Sequence, residues 1–195
     1  MLLFKRKHEF KPDRTGTGAL KKLYLTRLQR LRLLKWALMG LSLLLLSLVQ
    51  DAVLSRVHIY GAAFDLMACG ILLGCMLYPP DTAAVFALVS AIFYYFSGTS
   101  PGVYCIALLT VCGTLLCIFR RSYLRRCFST VAACAGIAIL TYKVAVFVIG
   151  LFLGSTTAAR FPVFLLSGGL SIAVIPLLYP IFTAISNIGG EAWKE

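Results

Sequence analysis

The stretch Val131–Leu153, VAACAGIAILTYKVAVFVIGLFL, decides the fold class of this chain. About 20 apolar residues in an α-helix cross the roughly 30 Å hydrocarbon core of a membrane, and this stretch is long enough to do so. Its single charged residue is Lys143. A surface helix of a soluble protein would carry a polar face. The stretch therefore predicts a helix surrounded by lipid or by other apolar helices.

Further apolar stretches fill most of the remaining chain, with short polar or turn-forming segments between them. They are Leu33–Leu54, Ala62–Tyr78, Thr82–Phe96, Val103–Phe119 and Pro162–Ile188. Apolar residues make up 60% of the chain and charged residues 13%, against about 25% charged residues in soluble domains. The sequence predicts an all-α membrane protein with about six transmembrane helices in a bundle over residues 33–188, without a soluble catalytic domain.

The basic residues fall on one side of this six-span arrangement. The net charge is +12, and of the nineteen lysines and arginines sixteen lie before or at the start of the first span, between spans four and five, or after the last span. The opposite side has only Arg56 and Arg160. By the positive-inside rule, this asymmetry predicts a multi-pass membrane protein with both termini in the cytoplasm.

The cytoplasmic segments differ in character. The sequence predicts a flexible basic arm over residues 1–19 and a short tail over residues 189–195. Over residues 20–35 it predicts a basic amphipathic helix that lies on anionic lipid. These charges either fix orientation alone or also form a docking surface for a cytoplasmic partner. We predict no nucleic-acid binding, because the basic stretch runs directly into a spanning helix. The membrane-surface basic residues are Lys21, Lys22, Arg27, Arg30, Arg32, Lys35, Arg120, Arg121, Arg125 and Arg126.

Polar residues near the predicted outer face form one candidate site. Asp65 lies near the outer end of the second span, and Gln50 and Asp51 end the first span on the same side. With Arg56 and His58 they form either an outward-facing polar patch or a set of solvated boundary residues.

Lys143 lies near the middle of the fifth span and needs a polar partner there. Asp65 is one candidate, although side chains lean toward the N-terminus of their helix, which would point Lys143 away from it. The alternatives on the third span are Tyr94, Tyr95 and Ser90.

Motifs for catalysis and metal binding are missing from the sequence. The seven cysteines include no C-x-x-C pair, and the two histidines, His8 and His58, are far apart in sequence. We therefore expect no enzyme, no cofactor and no metal site, and we expect the cysteines to pack as small apolar residues.

Small residues and prolines predict how some helices pack and bend. Ala83, Ala87 and Ala91 recur every four residues on one face of the third span, which permits close helix contact. In the last span, Gly168 with Gly169 and the prolines Pro176 and Pro180 predict a bend.

The order of these features resembles the MreD family of rod-shape-determining membrane proteins. The likeness covers about Leu38 to Ile185. The segments that carry it are Leu48-Val-Gln50, Gly61-Ala-Ala-Phe-Asp65-Leu66, Ser97-Gly-Thr-Ser-Pro-Gly102 and Pro176-Leu-Leu-Tyr-Pro180.

The resemblance implies a non-enzymatic scaffold of the bacterial cell-elongation machinery. Its implied partners are the bitopic protein MreC, MreB filaments, a RodA-type glycosyltransferase and a class B penicillin-binding protein in lateral peptidoglycan synthesis. It also implies a fold similar to the substrate-binding subunits of energy-coupling-factor vitamin transporters. Such a subunit is the alternative function, because Gln50, Asp51 and Asp65 could line a polar pocket near the outer face.

Overall fold

The computed structural model describes residues 27–52, 54–56, 60–123 and 128–188. Within these ranges the chain is helical and contains no β-strand. Two short 3-10 turns, Leu54–Arg56 and Ala158–Arg160, lie between helices. The α-helices are α1 Arg27–Ala52, α2 Leu66–Leu77, α3 Pro80–Phe96, α4 Tyr104–Tyr123, α5 Phe128–Phe152, α6 Phe161–Ala173 and α7 Ile175–Ser186.

Contacts between distant segments define two ends of the bundle. At one end Lys35 Nζ donates a 2.7 Å hydrogen bond to the carbonyl oxygen of Ser186, which joins the start of α1 to the end of α7. At the other end Gln50 Oε1 accepts a 2.9 Å bond from the Met67 amide, which joins the end of α1 to the start of α2. We call the first end the Lys35 end. We call the second the Arg160 end, because Arg160 belongs to the short turn that precedes α6.

α2 is the central helix. Each of its residues from Leu66 to Leu77 is buried, and it contacts α1, α3, α4, α5, α6 and α7. Glycines bring its neighbours close, because a Cβ at Gly74 would lie only 2.6 Å from the Met39 side chain of α1 and 2.7 Å from the Phe86 side chain of α3. The core of the protein is therefore a ring of helices around α2.

Two helices are long and apolar enough to cross a membrane, namely Arg30–Ala52 within α1 and all of α5. α6 and α7 together would provide a third crossing, although they are bent by 50° relative to each other. α2, α3 and α4 are apolar but shorter. The all-helical class and the apolar helices are as predicted, while the structure by itself supports two to three crossings.

The predicted alanine face of the third span is buried as expected. Ala83, Ala87 and Ala91 are each at most 1% exposed. Gly113 of α4 lies against this face, since a Cβ there would be 3.3 Å from that of Ala87 and 2.8 Å from Cys75 Sγ of α2. Small side chains thus allow α2, α3 and α4 to approach closely, which favours dispersion contacts between apolar helices.

α1 and α2 begin four or more residues before or after their predicted starts. α1 is continuous from Arg27, so the described part of the predicted interfacial helix, residues 27–35, forms its first turns. α2 begins at Leu66 rather than Ala62. The predicted bend in the last span is present at Val174, because Pro176 has no N–H to bond to the carbonyl four residues earlier.

Some predicted features lie outside the described residues. These are the arm 1–19, the tail 189–195, Lys21, Lys22, Arg125, Arg126 and His58, together with the side chains of Arg27 and Arg121.

Gly113→Leu tests the close contact of α2, α3 and α4. The new side chain would collide with Cys75 and Ala87, and overpacking of this kind costs about 1–3 kcal/mol, so we expect a lower melting temperature of the detergent-purified protein. Gly40→Leu in α1 is the matched control, because a Cβ at Gly40 meets no atom within 4 Å. Equal melting temperatures for the two variants would contradict this packing.

Candidate functional site

The site is built around a buried ion pair. Lys143 Nζ of α5 donates a 2.6 Å hydrogen bond to Asp65 Oδ2, which directly precedes α2. Asp65 is 4% exposed and Lys143 7%. Each charge compensates the desolvation of the other, since an isolated buried charge costs several kcal/mol.

The second carboxylate oxygen of Asp65 caps α2. Asp65 Oδ1 accepts a 3.0 Å bond from the Ala68 amide, and Gln50 Oε1 accepts from the amide of Met67. These amides belong to the first turn of a helix, where no backbone acceptor is present. The positive end of the helix dipole also stabilises the carboxylate. Asp65 therefore has a structural role at α2 as well as a charged partner on α5.

Hydroxyl groups from α3 and α6 complete the network. The Tyr94 hydroxyl donates to Asp65 Oδ2 over 3.1 Å, and the Asp65 amide donates to Ser171 Oγ over 3.0 Å. Ser171 Oγ donates in turn to the Ser167 carbonyl oxygen, and Ser167 Oγ donates to that of Ala63. Side chains from α1, α3, α5 and α6 thus converge on the segment before α2 and on its first turn.

Four of the predicted polar residues meet here, namely Gln50, Asp65, Tyr94 and Lys143. Asp51 follows Gln50 on α1 but is exposed. Tyr95 is half-buried, and its ring packs edge-on against Phe96 at a centroid distance of 5.8 Å.

Two members of the network were not predicted from the sequence. Ser167 and Ser171 are four residues apart on α6, which places them on the same face of that helix. Serines in apolar helices commonly bond to the carbonyl oxygen four residues earlier in the same helix. The spacing of Ser167 and Ser171 therefore did not distinguish them from such serines.

Helical side chains lean toward the N-terminus of their helix, but this does not prevent Lys143 from pairing with Asp65. Because α2 begins at Leu66 and has 12 residues, Asp65 lies about 18 Å along the bundle from the turn at Tyr78. At the observed depth, leaning toward the Lys35 end does not carry the Lys143 ammonium past Asp65.

Polar side chains of this site line a cavity of about 270 Å³. Its lining includes Gln50, Asp65, Tyr94, Thr99 and Lys143. A second cavity of about 470 Å³ lies beside it and shares Ala63, Lys143 and Ser167 with the first. The ion pair thus borders open space as well as protein.

The predicted basic residues that the structure describes lie in different surroundings. Arg30 and Arg32 are exposed on α1, and Arg120 is half-buried on α4. Lys35 turns toward the bundle, where it satisfies the last turn of α7 and lies 5.1 Å from the centre of the Tyr78 ring. Lys35 therefore joins α1 to α7 in addition to any contact with lipid.

Comparison with known proteins gives no match among protein-family models, curated proteins or solved structures.

The described residues include no group of three histidine, cysteine or acidic side chains that could hold a metal ion. The chemistry that the site offers is charge pairing and hydrogen bonding in a low-dielectric interior, which holds helices in register.

Asp65 and Lys143 depend on each other for stability. We expect Lys143→Met and Asp65→Asn each to lower the melting temperature strongly, because breaking a buried pair costs about 3–5 kcal/mol. The double variant removes both charges and should melt above the Lys143→Met single variant. If the decrease in melting temperature of the double variant equalled the sum of the two single decreases, the two groups would not be coupled.

Tyr94→Phe tests the hydroxyl bond to the carboxylate. Loss of a hydrogen bond to a buried charged group costs about 1.5–3 kcal/mol, so the variant should melt at a lower temperature. Tyr95→Phe changes the neighbouring tyrosine, which is half-buried and packs against Phe96, and should leave the melting temperature unchanged. The Tyr94 bond would be unimportant if both variants melted alike.

Proposed function

We propose that this chain is a non-enzymatic membrane scaffold of the MreD type, which binds MreC and supports cell shape and lateral peptidoglycan synthesis. The proposal rests on the sequence resemblance. The structural observation that supports it best is that the buried polar groups are bonded within the protein. Asp65, Lys143, Gln50 and Tyr94 bond to each other or to backbone amides, an arrangement that suits a rigid platform better than acid–base chemistry.

A rigid platform needs a surface for its partner. A groove of about 520 Å³ runs between α4 and α5, and its lining is nearly all apolar. Leu115, Phe119 and Ile137 border it, with the smaller Cys112 and Cys134 also in its lining. Small residues beside large ones let another helix approach closely in a membrane. We assign this groove to the single span of MreC.

Cys134→Trp would fill this groove and should reduce the amount of MreC that co-purifies with the tagged protein from gently solubilised native membranes. Val148→Trp is the control, because Val148 is exposed on the same helix and does not line the groove. Recovery of the RodA-type glycosyltransferase and the class B penicillin-binding protein should fall in parallel with MreC. Unchanged MreC recovery with Cys134→Trp would exclude the groove as its binding surface.

The scaffold itself is tested by depletion. Loss of the protein should round the cells and disperse MreC from its normal positions. Preserved rod shape and MreC localisation after depletion would contradict the proposal.

We further propose that the chain crosses the membrane six times, with the bent pair α6 and α7 as the last span and the Lys35 end in the cytoplasm. The basic residues before α1 and after α4 would then face MreB and anionic lipid, where each contributes about 1 kcal/mol. The apolar character of α2, α3 and α4 supports this arrangement.

Reporter fusions test the topology. Green fluorescent protein fused after Glu195 should fluoresce, since it folds in the cytoplasm, and alkaline phosphatase inserted after Thr157 should be active, since it folds outside. An inactive phosphatase at Thr157, in a fusion present at normal level, would contradict six spans.

A substrate-binding subunit of a vitamin transporter is the second candidate. The polar cavity beside Gln50, Asp65 and Lys143 favours it, because small-molecule sites combine an apolar wall with a few convergent polar groups. Saturable, tight binding of a vitamin to the purified protein, together with recovery of a coupling membrane protein and paired ATPases, would support this candidate over the scaffold.

A further inference from the structure

The larger cavity at the Arg160 end has more positive than negative charge around it. Its lining carries two basic side chains, Lys143 and Arg160, with Ser167 and a wall of small and apolar residues. Asp65 neutralises Lys143 from the adjoining cavity. Among the described residues Arg160 has no ion pair. One positive charge at this cavity is thus left without an acidic partner in the described part of the chain.

Lys143 has hydrogen-bonding capacity that the protein does not use. An ammonium group has three N–H donors, and Asp65 Oδ2 takes one of them. The described residues give the ammonium no second hydrogen bond. Because Lys143 lines both cavities, its remaining donors are available to a group that enters them.

The first turns of α6 form another part of the lining. Arg160, Val163, Phe164 and Ser167 all lie there, and no side chain caps the N-terminus of α6. The Phe161 amide donates to the Ala158 carbonyl oxygen and Pro162 has no N–H, so this end of α6 attracts an anion mainly through the positive end of its dipole. The cavity thus presents three sources of positive potential: a guanidinium, a partly used ammonium and a helix N-terminus.

From this arrangement we propose that the cavity between the first turns of α6 and Lys143 binds a phosphate-bearing anion. The planar guanidinium of Arg160 would form paired hydrogen bonds with two phosphate oxygens. The Lys143 ammonium would contribute a further bond without leaving Asp65.

The position of Arg160 favours a lipid headgroup as the source of the phosphate. The large side chains around it in sequence, Phe152 and Leu153 before it and Phe161 after it, are exposed. In the six-span arrangement proposed above, this places the guanidinium at the edge of the apolar surface, where headgroup phosphates lie. A soluble phosphate ester offers the same group and is the other source. The site does not depend on MreC binding, so either proposal can fail without the other.

Native mass spectrometry of the intact purified protein tests the site. With phosphatidylglycerol added to the detergent, the wild-type protein should retain one bound lipid more than Arg160→Gln. The affinity of that site should fall about tenfold, the equivalent of one charged hydrogen bond. Arg56→Gln is the matched control, because Arg56 is exposed in the turn after α1 and lines neither cavity. It should retain as much lipid as the wild type.

Two further arms distinguish the source of the phosphate. Failure of glycerol 3-phosphate to displace phosphatidylglycerol from the Arg160-dependent site would identify a lipid headgroup. Displacement at similar concentrations would identify a soluble phosphate ester. Arg160→Lys keeps the charge but not the paired geometry, and should bind with intermediate affinity. Equal lipid retention by wild type and Arg160→Gln, or an equal loss in Arg56→Gln, would overturn the proposal.

Discussion

A carboxylate that must be neutralised inside an apolar bundle sets the arrangement of the protein. Asp65 lies where water cannot solvate it freely, so the bundle has to bring it a cation and hydrogen-bond donors. Lys143 supplies the charge at 2.6 Å, Tyr94 donates a hydroxyl, and α2 offers the first amides of a helix. These groups come from α2, α3 and α5. Satisfying one carboxylate therefore fixes the relative depth of three helices.

The same network explains how a central helix of 12 residues can organise longer neighbours. α2 is buried along its length, so it has no lipid-facing surface and cannot be positioned by the membrane. Its N-terminus is instead fixed by Asp65 and Gln50. Along its length, Gly70 and Gly74 leave room for side chains of α1, α3 and α7. Polar bonds set its depth, and small residues set the distance to its neighbours.

The two ends of the bundle offer different chemistry. At the Lys35 end, aromatic side chains surround the start of α1, with Trp36 stacked on Tyr78 at 5.3 Å, and exposed basic residues suit contact with anionic lipid. At the Arg160 end, two cavities border the ion pair. A scaffold could bind one partner in the apolar groove between α4 and α5 and a phosphate-bearing ligand in the cavity at the Arg160 end. The buried polar network would keep the helices between these two surfaces rigid.

The sequence by itself determined the helical, membrane-type composition, the close packing of Ala83, Ala87 and Ala91, and the bend in the last span. These properties follow from local rules, since apolar length, small-residue spacing and proline geometry act within one helix. It also identified Lys143 as a charge in need of a partner, with Asp65 as one candidate.

Only the tertiary structure decided that these charges pair with each other, because the pairing depends on how α2 and α5 pack side by side. The Ala62–Asp65 segment is apolar enough to continue a helix, and bonds from Gln50, Ser167 and Ser171, on α1 and α6, hold that segment and the first turn of α2 in place. The same applies to Arg160, whose place beside Lys143 in one cavity wall arises from the packing of α6 on α5. Contacts between residues distant in sequence set both positions, so no local pattern could reveal them.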